Sequence, residues 1–450
     1  MKTYLVTSLF LSLLFFSSCD VGNDSNNGNN VNNVNNTNNT NNVNNVNNAN
    51  NVNNQDFTVL KSGEARDEDP QIPNQDLETL LQGMTTFHFD VYGQLAVRDT
   101  GNIIYSPWSI TTALAMTWAG AANDTEAEMA DVLYFPMDQA LVHTGMNFLD
   151  LHLNTPATGN LPFTLNSVNS IWGQKDYEFK AAFLDTLAIH YGAGLNLLDF
   201  VTDAEGARAV INAWVASQTA DRITELLTQG TLDSLTRLVL VNALYFKAKW
   251  QSEFAPDATA PGNFTKLDQT QVVVDMMSQD GTSLPYYEGT GYRAVEMPYV
   301  GDRASMLVIM PDAGTFSAFE AALDGAQLDS IIDNLAVEPH LFLTLPKFDF
   351  RFNLSLKPVL EALGMEDAFT LGVADFTGMR EPLELYISDV VHEAFIGIDE
   401  AGTEAGAATA VIMSGYGETV VFTVDQPFLF FIRDRETGLI LFAGRVTDPS

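Results

Sequence analysis

A tract of asparagine pairs near the N-terminus separates a part of the chain that cannot form a core from a part that can. Between Asn23 and Asn54 the pairs are separated mainly by single valine, threonine or alanine residues. Such a segment buries too little apolar surface to offset the entropy lost on ordering. We therefore expect residues 19–75 to be a disordered tether. Residues 76–450, where apolar segments recur without a second composition break, are expected to form one folded domain.

The segment before the tether has the pattern of an export signal. Lys2 precedes an apolar run from Leu5 to Phe16, which is too short to span a bilayer, and the single cysteine, Cys19, follows it. This arrangement resembles a bacterial lipoprotein signal, whose cysteine becomes the lipidated first residue after cleavage. We expect a signal peptide over residues 1–18 and a secreted, extracytoplasmic protein, periplasmic or at the cell surface, anchored to a membrane by lipid. A plain secretory signal is the alternative.

Charge and motif content exclude several function classes. The 21 basic and 57 acidic residues give a formal net charge of −36, which repels nucleic acids and anionic membrane surfaces. The chain has no G-x-S-x-G elbow, no H-E-x-x-H helix and no phosphate-binding G-x-x-x-x-G-K-[ST] loop. We therefore expect no nucleic-acid partner, no enzyme activity, no metal and no cofactor, and we expect membrane contact through the lipid alone.

Apolar periodicity predicts helices early in the domain and strands late. The helical segments are Leu77–Val97, Ile110–Ala119, a third helix opening at Asp124, and Asn212–Leu227. The predicted strands are Leu238–Phe246, Arg293–Met297, Ser305–Met310, His340–Leu345, Leu385–Val391 and Pro427–Ile432. This order indicates an α+β fold whose sheets are mostly antiparallel.

Five stretches in the domain resemble motifs of the serpin family and occur in the family's order. They are Asn102–Pro107, Asn242–Trp250, Leu345–Phe348, Asp425–Ile432 and Phe442–Val446. The resemblance implies a serpin fold with three β-sheets, about eight or nine helices and an exposed reactive-centre loop. It further implies inhibition of a serine protease by loop cleavage, covalent trapping and insertion of the loop into the main sheet. A non-inhibitory binding module with the same fold is the alternative function.

The candidate loop, Glu400 to Val421, has the side-chain pattern of a strand that can enter a sheet. Alternate residues of a strand share one face, and the face entering a sheet interior must be free of charge. Here that face would be Thr403, Ala405, Ala407, Thr409, Val411 and Met413. The other face would carry Glu404, Gly406, Ala408 and Ala410. The resemblance assigns the hinge to Glu400, Gly402, Thr403, Glu404, Ala405, Gly406, Ala407, Ala408 and Thr409.

Two bonds are candidates for cleavage, Met413-Ser414 and Tyr416-Gly417. In inhibitory serpins the cleaved residue usually lies fourteen positions after the hinge glycine and eleven before the proline of the C-terminal motif. Counted from Gly402 and from Pro427, both spacings select Tyr416, so the expected reactive bond is Tyr416-Gly417. A tyrosine suits the apolar pocket of chymotrypsin-like proteases.

The resemblance also assigns residues to the places where the main sheet would open. Ser106, Ser109, Asn242 and His392 fall at the shutter, a polar cluster beneath the sheet, and Trp250 falls at the breach, where the loop first enters. A core histidine without a switching role is the alternative for His392. Residues 131–160 contain neither lysine nor arginine, so heparin is not an expected partner, and we expect a monomer whose protein partner is the target protease.

The anchoring hypothesis is tested by Cys19→Ala, because the thiol is the only group to which the lipid would be attached. We expect the variant to leave the membrane fraction and appear in the soluble fraction, measured by fractionation and immunoblotting. Ser18→Ala, which keeps the cysteine, should remain membrane-bound. A Cys19→Ala protein that stays with the membrane would contradict the lipid assignment.

Overall fold

The computed structural model describes residues 57–154, 163–403 and 419–450. The helices of these residues have the following bounds: α1 Asn74–Arg98, α2 Pro107–Trp118, α3 Asn123–Leu133, α4 Gln139–Asn154, α5 Ala181–Tyr191, α6 Phe200–Gln218, α7 Phe316–Ala322, α8 Gly325–Asn334 and α9 Lys357–Ala362. Short 3₁₀ turns occur at Pro256–Ala258 and Asp367–Phe369.

Strands make up most of the remaining ordered structure. Their bounds are β1 Thr58–Leu60, β2 Ile103–Tyr105, β3 Phe163–Gln174, β4 Leu195–Leu198, β5 Leu238–Lys249, β6 Ala260–Thr265, β7 Gln271–Gly289, β8 Tyr292–Pro298, β9 Ala304–Pro311, β10 Ala336–Pro346, β11 Phe348–Ser355, β12 Ile387–Ile398, β13 Gly402–Thr403, β14 Val420–Thr423, β15 Phe428–Asp434 and β16 Ile440–Val446. The α+β class expected from the sequence is confirmed.

Helix α2 shows how local sequence places residues at the centre of the domain. Ser106 caps its N-terminus by accepting a hydrogen bond from the Ser109 amide at 3.1 Å, and Pro107 occupies the first turn, where its missing amide proton costs nothing. All twelve residues of the helix are buried, so it lies within the core beneath the main sheet. Capping therefore fixes Ser106 and Ser109 at a buried helix end.

The main sheet has seven strands in the order β1-β4-β3-β5-β13-β12-β11. Most neighbours are antiparallel, but β5 and β12 also pair with each other in parallel, from Leu238 opposite Ile387 to Leu244 opposite Ala394. We call this β5–β12 pairing the seam. One face of the seam packs on the core that contains α2, and the other packs under α6 and the residues that follow it. Burial on both faces explains the nearly unbroken apolar run of β5.

The second sheet contains nine strands, with the path β14-β10-β7-β8-β9-β15-β16-β2 and β6 paired to β7. The family resemblance implied three sheets, whereas hydrogen bonding joins the described strands into two. Strand β7 is nineteen residues long; its first part pairs with β6, its middle with β10 and its last residues with β8. One continuous strand thus serves both halves of this sheet.

Helix α6 differs from its prediction at both ends. It begins at Phe200 and ends at Gln218, whereas the apolar pattern predicted a helix over Asn212–Leu227. Ala220 and Asp221 adopt positive φ angles of 50° and 60°, and this left-handed backbone ends the helix. The apolar residues beyond it are buried in irregular chain with bends and turns rather than on a helix face, which is why their spacing was misleading.

The last part of the expected tether packs onto the domain. Strand β1 pairs with β4 at the edge of the main sheet, and Phe57 contacts the Trp172 ring edge-on at 4.8 Å. Further along, the Arg66 guanidinium donates to Asn147 Oδ1 at 2.9 Å and 2.7 Å. Arg66 also forms an ion pair with Asp150 at 2.6 Å. The boundary expected at residue 76 is therefore too late, because an edge strand and this ion-paired side chain hold residues 57–75 on the domain.

Candidate functional site

Two residues of the predicted hinge, Gly402 and Thr403, lie inside the main sheet. Gly402 is opposite Lys249 of β5, and Thr403 is opposite both Ala248 of β5 and Ile398 of β12. These two residues thus form a short strand between β5 and β12 at the upper end of the seam. The rest of the predicted hinge, Glu404, Ala405, Gly406, Ala407, Ala408 and Thr409, and the bond Tyr416-Gly417 lie outside the described residues.

Gly402 can enter the sheet because it has no side chain. A Cβ at this position would lie 2.1 Å from the Ala248 carbonyl oxygen and 2.8 Å from the Lys249 Cα. Both neighbours are backbone atoms of a central strand and cannot move aside independently. Any other residue would push the hinge out of the sheet.

Thr403 is held by a buried aromatic stack. Its side chain is buried, and its hydroxyl lies 2.7 Å from the Tyr299 hydroxyl. The Tyr299 ring stacks on Trp250 at 4.6 Å and 9°, and Trp250 Nε1 donates to the Asp399 carbonyl at 3.0 Å. Trp250, predicted at the breach, therefore lies beside the hinge. Tyr299 was not predicted, because no motif marks it and its position comes from packing between the two sheets.

Glu400, the first residue assigned to the hinge, anchors the chain just before Gly402 and Thr403 enter the sheet. Its carboxylate accepts from Thr259 Oγ1 at 2.7 Å and lies 2.8 Å from Lys347 Nζ. Partial burial raises the pKa of the Glu400 carboxyl, but the hydrogen bonds from Lys347 and Thr259 outweigh this and lower the pKa below its ordinary value. The ionised carboxylate is therefore the form that holds the hinge. Lys347 lies within the Leu345–Phe348 motif, although the sequence reasoning gave it no role.

The four residues predicted at the shutter meet in one buried cluster at the centre of the seam. The Ser106 amide donates to His392 Nε2 at 3.1 Å, which leaves the proton on Nδ1 to be donated to Asn242 Oδ1. Asn242 Nδ2 donates in turn to Ser109 Oγ at 2.7 Å. Asn169 of β3 completes the cluster by accepting from Ser109 Oγ at 2.8 Å and from Asn242. Sequence reasoning missed Asn169.

His392 is neutral in this cluster. It is fully buried, and burial lowers its pKa to about 3. Both ring nitrogens have partners, so the seam holds a complete polar network in an apolar core. Such a network has a high cost of disruption unless new partners replace the old ones.

The described residues contain neither a cluster of metal-ligating side chains nor a membrane-spanning helix. Histidine, aspartate and glutamate side chains form no group of three that could hold a metal ion in that part of the chain. Within the same residues, no helix combines the length and the apolar character needed to cross a membrane.

Comparison with known proteins identifies close similarity over the whole domain. The family model described as "Serpin (serine protease inhibitor)" matches residues 82–449. A serpin-like protein of Thermococcus kodakarensis is 39% identical, covering 87% of this chain and 88% of its own length. The leukocyte elastase inhibitor of Xenopus tropicalis is 35% identical, covering 83% of this chain and 100% of its own.

Solved structures show the same similarity. The thermophilic serpin tengpin, in its native state, superposes with a TM-score of 0.76 at 28% identity, covering 86% of this chain and 97% of its own. Thyroxine-binding globulin in complex with thyroxine superposes with a TM-score of 0.75 at 28% identity, covering 82% of this chain and 99% of its own. Proteins named as inhibitors and a protein named for a small ligand thus share this architecture.

The Glu400 anchor generates a pH-dependent prediction. The pKa of the Glu400 carboxyl is lower in the folded protein than its ordinary value of 4.5. The ion pair therefore stabilises the protein fully above pH 4.5, and this stabilisation is lost as the pH falls through the folded-state pKa. We expect Glu400→Gln to reduce the free energy of unfolding in urea by about 1–2 kcal/mol at pH 7. The difference from the parent protein should shrink towards pH 4. The control Glu361→Gln removes a more exposed pair with Lys357 and should cost less than about 0.5 kcal/mol. Equal effects of the two variants at pH 7 would contradict the anchor.

Proposed function

The chain belongs to the serpin family, and from that premise we propose that it is an inhibitory member that traps a serine protease by inserting its cleaved reactive-centre loop into the main sheet. The observation that carries the proposal is the position of Thr403. Together with Gly402, this residue already forms a short strand between β5 and β12, antiparallel to both.

The register of Thr403 supports insertion of the residues that follow. Each residue after Thr403 would move one position down β5 from Ala248 and one position down β12 from Ile398. In this register Thr409 would come between Asn242 and His392, which are themselves opposite each other in the closed seam. A threonine hydroxyl there would supply a hydrogen-bonding partner when the strands separate.

The faces of the loop also agree with this register. Ala248 and Ile398, which flank Thr403, are buried in the core below the sheet, so every second residue from Thr403 onward would face that core. Those residues carry no charge. Glu404 would face the opposite side, next to the exposed Lys247 of β5. The single charge between Thr403 and Thr409 would thus meet an ammonium group at the surface.

Insertion has enough free energy available to displace a bound protease. Strands β5 and β12 have twelve residues each, so an inserted strand could pair on both sides along their whole length. At roughly 0.5–1.5 kcal/mol net per hydrogen bond, the bonds of about a dozen residues on both sides would contribute on the order of 10–30 kcal/mol, less the contribution of the β5–β12 bonds that are lost. That gain is comparable to the full stability of an ordinary domain.

The alternative function is a non-inhibitory binding module. Thyroxine-binding globulin, which has this architecture, is named for the small ligand that it binds. The hinge argues against it here, since Thr403 to Thr409 contains small residues and one charge, without proline or a bulky side chain. A module that never inserts its loop has no requirement for this pattern.

The target class and the location are further parts of the proposal. Tyr416 as the residue before the cleaved bond favours chymotrypsin-like proteases, whose primary pocket is apolar. We also propose that the protein acts as a monomer outside the cytoplasm, held to a membrane by a lipid on Cys19, and that it is not itself an enzyme. We do not expect heparin to be a partner, because a sulfated polysaccharide binds a basic surface and the composition of this chain is acidic.

Insertion is tested by comparing Thr403→Arg with Glu404→Arg, adjacent positions that would face opposite sides of the sheet. Thr403→Arg places a charge in the core, at a cost of several kcal/mol, so we expect chymotrypsin to cleave this variant without being trapped. Glu404→Arg should still form the complex. The measurement is the amount of complex that survives denaturing electrophoresis. Undiminished trapping by Thr403→Arg would overturn the insertion mechanism.

The reactive bond is tested by Tyr416→Arg. The parent protein should trap chymotrypsin rapidly and trypsin poorly, and the variant should reverse this preference because its guanidinium pairs with the carboxylate in the trypsin pocket. Mass spectrometry of the released C-terminal fragment should show a start at Gly417. A start at Ser414, with the matched Met413→Arg variant reversing the preference instead, would move the bond to Met413-Ser414.

A further inference from the structure

The outer face of the seam is covered by the chain that follows α6. We call residues 219–235 the cover segment. Four of its apolar side chains are buried in a cluster with residues of β5 and β12: Ile223, Leu226, Leu227 and Leu232. The same cluster includes Val241 and Ala243 of β5 and Val391 of β12. The cover segment therefore spans both strands that would have to separate.

Two asparagines hold the cover segment at its middle, one from each side. Asn212 of α6 donates to the Leu227 carbonyl at 2.9 Å and accepts from the Leu227 amide at 2.9 Å. Asn353 of β11 donates to the Leu226 carbonyl at 3.0 Å. The cover is thus fixed to α6 on one side of the seam and to β11 on the other.

A buried carboxylate shares the Asn353 attachment. Glu393 of β12 accepts from Asn353 Nδ2 at 3.0 Å, and it is opposite Asn353 in one strand pairing and opposite Ala243 in the other. The residue is only 5% exposed. Its neighbour His392 faces the shutter, so Glu393 faces the cover, because successive strand residues point to opposite faces.

The charges around Glu393 are too few to compensate its burial. Burial raises the pKa of the Glu393 carboxyl, and the hydrogen bond from Asn353 and the charge of Arg351 offset only part of the rise. Arg351 of β11 and Arg222 of the cover segment both lie over the Phe395 ring, at 5.7 Å and 5.8 Å. The other charged residues of α6 are Asp203, Glu205 and Arg208, and Arg208 donates to the Leu227 carbonyl at 2.9 Å. The other charged residues of the cover segment are Asp221, Glu225 and Asp233, and Glu225 lies 3.8 Å from Arg208.

We propose that Glu393 is a positioning residue for loop insertion: its ionised carboxylate, buried under the cover segment and held by Asn353, makes the closed seam easier to open. Separation of β5 from β12 lifts the cover and admits water to the carboxylate, which relieves the cost of burying the charge. This inference rests on the proposed function, because an easily opened seam is useful only if a loop is inserted.

The direction of the pH effect follows from the raised folded-state pKa. The protonated Glu393 carboxyl is compatible with the closed seam. Its stabilising contribution is fully present below pH 4.5, the ordinary pKa of a glutamate, and is lost as the pH rises through the folded-state pKa. The seam should therefore open more readily at neutral pH than at acidic pH.

The test compares the parent protein with Glu393→Gln, which keeps the shape and the hydrogen bond from Asn353 but carries no charge. Glu78→Gln, at an exposed position on α1, is the matched control. Hydrogen exchange of peptides covering residues 238–244 and 387–394 measures opening of the seam without a protease. The number of inhibitor molecules consumed per trapped chymotrypsin measures insertion. Both are measured from pH 4.5 to pH 8 and expressed as the ratio of variant to parent, so that the pH dependence of exchange chemistry and of chymotrypsin cancels.

We expect Glu393→Gln to slow seam exchange and to raise inhibitor consumption by about three- to tenfold at pH 8, with both ratios approaching one near pH 4.5. Asn353→Ala, which frees the cover and removes the Glu393 hydrogen bond, should instead speed seam exchange. Ratios of one at every pH, or ratios that do not vary with pH, would overturn the proposal. If the exchange effects occur but no protease is ever trapped, the role of Glu393 in opening the seam is supported and the proposed function alone fails.

Discussion

The pairing of β5 with β12 is the interaction on which the rest of the structure depends. It closes the main sheet, and both of its faces are covered, by the core around α2 below and by α6 with the cover segment above. Yet the same two strands already separate at their upper end, where Gly402 and Thr403 lie between them. The sheet therefore contains a boundary between an open end and a closed end, and function depends on how easily that boundary moves.

Polar groups are concentrated along this boundary, where an ordinary core would have apolar ones. Glu400 and Thr403 hold the open end, His392 and Asn242 hold the lower face of the seam, and Glu393 lies on the upper face. Because a buried polar group is stable only with a partner, the hydrogen-bonded groups at the open end and on the lower face resist opening until a replacement partner or water arrives, whereas the buried charge of Glu393 favours opening. With apolar packing alone, the free energies of the closed and the open seam would differ less sharply.

Sequence patterns succeeded where one segment decides its own structure. The helical spacing of Leu77–Val97 is confirmed by α1, and the run Leu238–Phe246 is confirmed by β5. The pattern over Asn212–Leu227 failed because the residues after Thr219 are not helical. Their apolar side chains are buried against the main sheet instead. Likewise, nothing in Thr58–Leu60 indicates a strand until the edge of β4 is available to pair with it.

The sequence by itself determined the family motifs, the α+β class, the uncharged alternation after Thr403 and the candidates His392, Asn242, Ser106 and Ser109, because these are properties of residue type and spacing. Only the tertiary structure decided that Asn169 joins the shutter, that Tyr299 meets Thr403, and that Asn353 links the cover segment to Glu393. Each of these contacts joins residues far apart in the chain. Hydrogen bonds depend on distances of a few tenths of an ångström, which are set by the packing of whole elements and leave no periodic signal in the sequence.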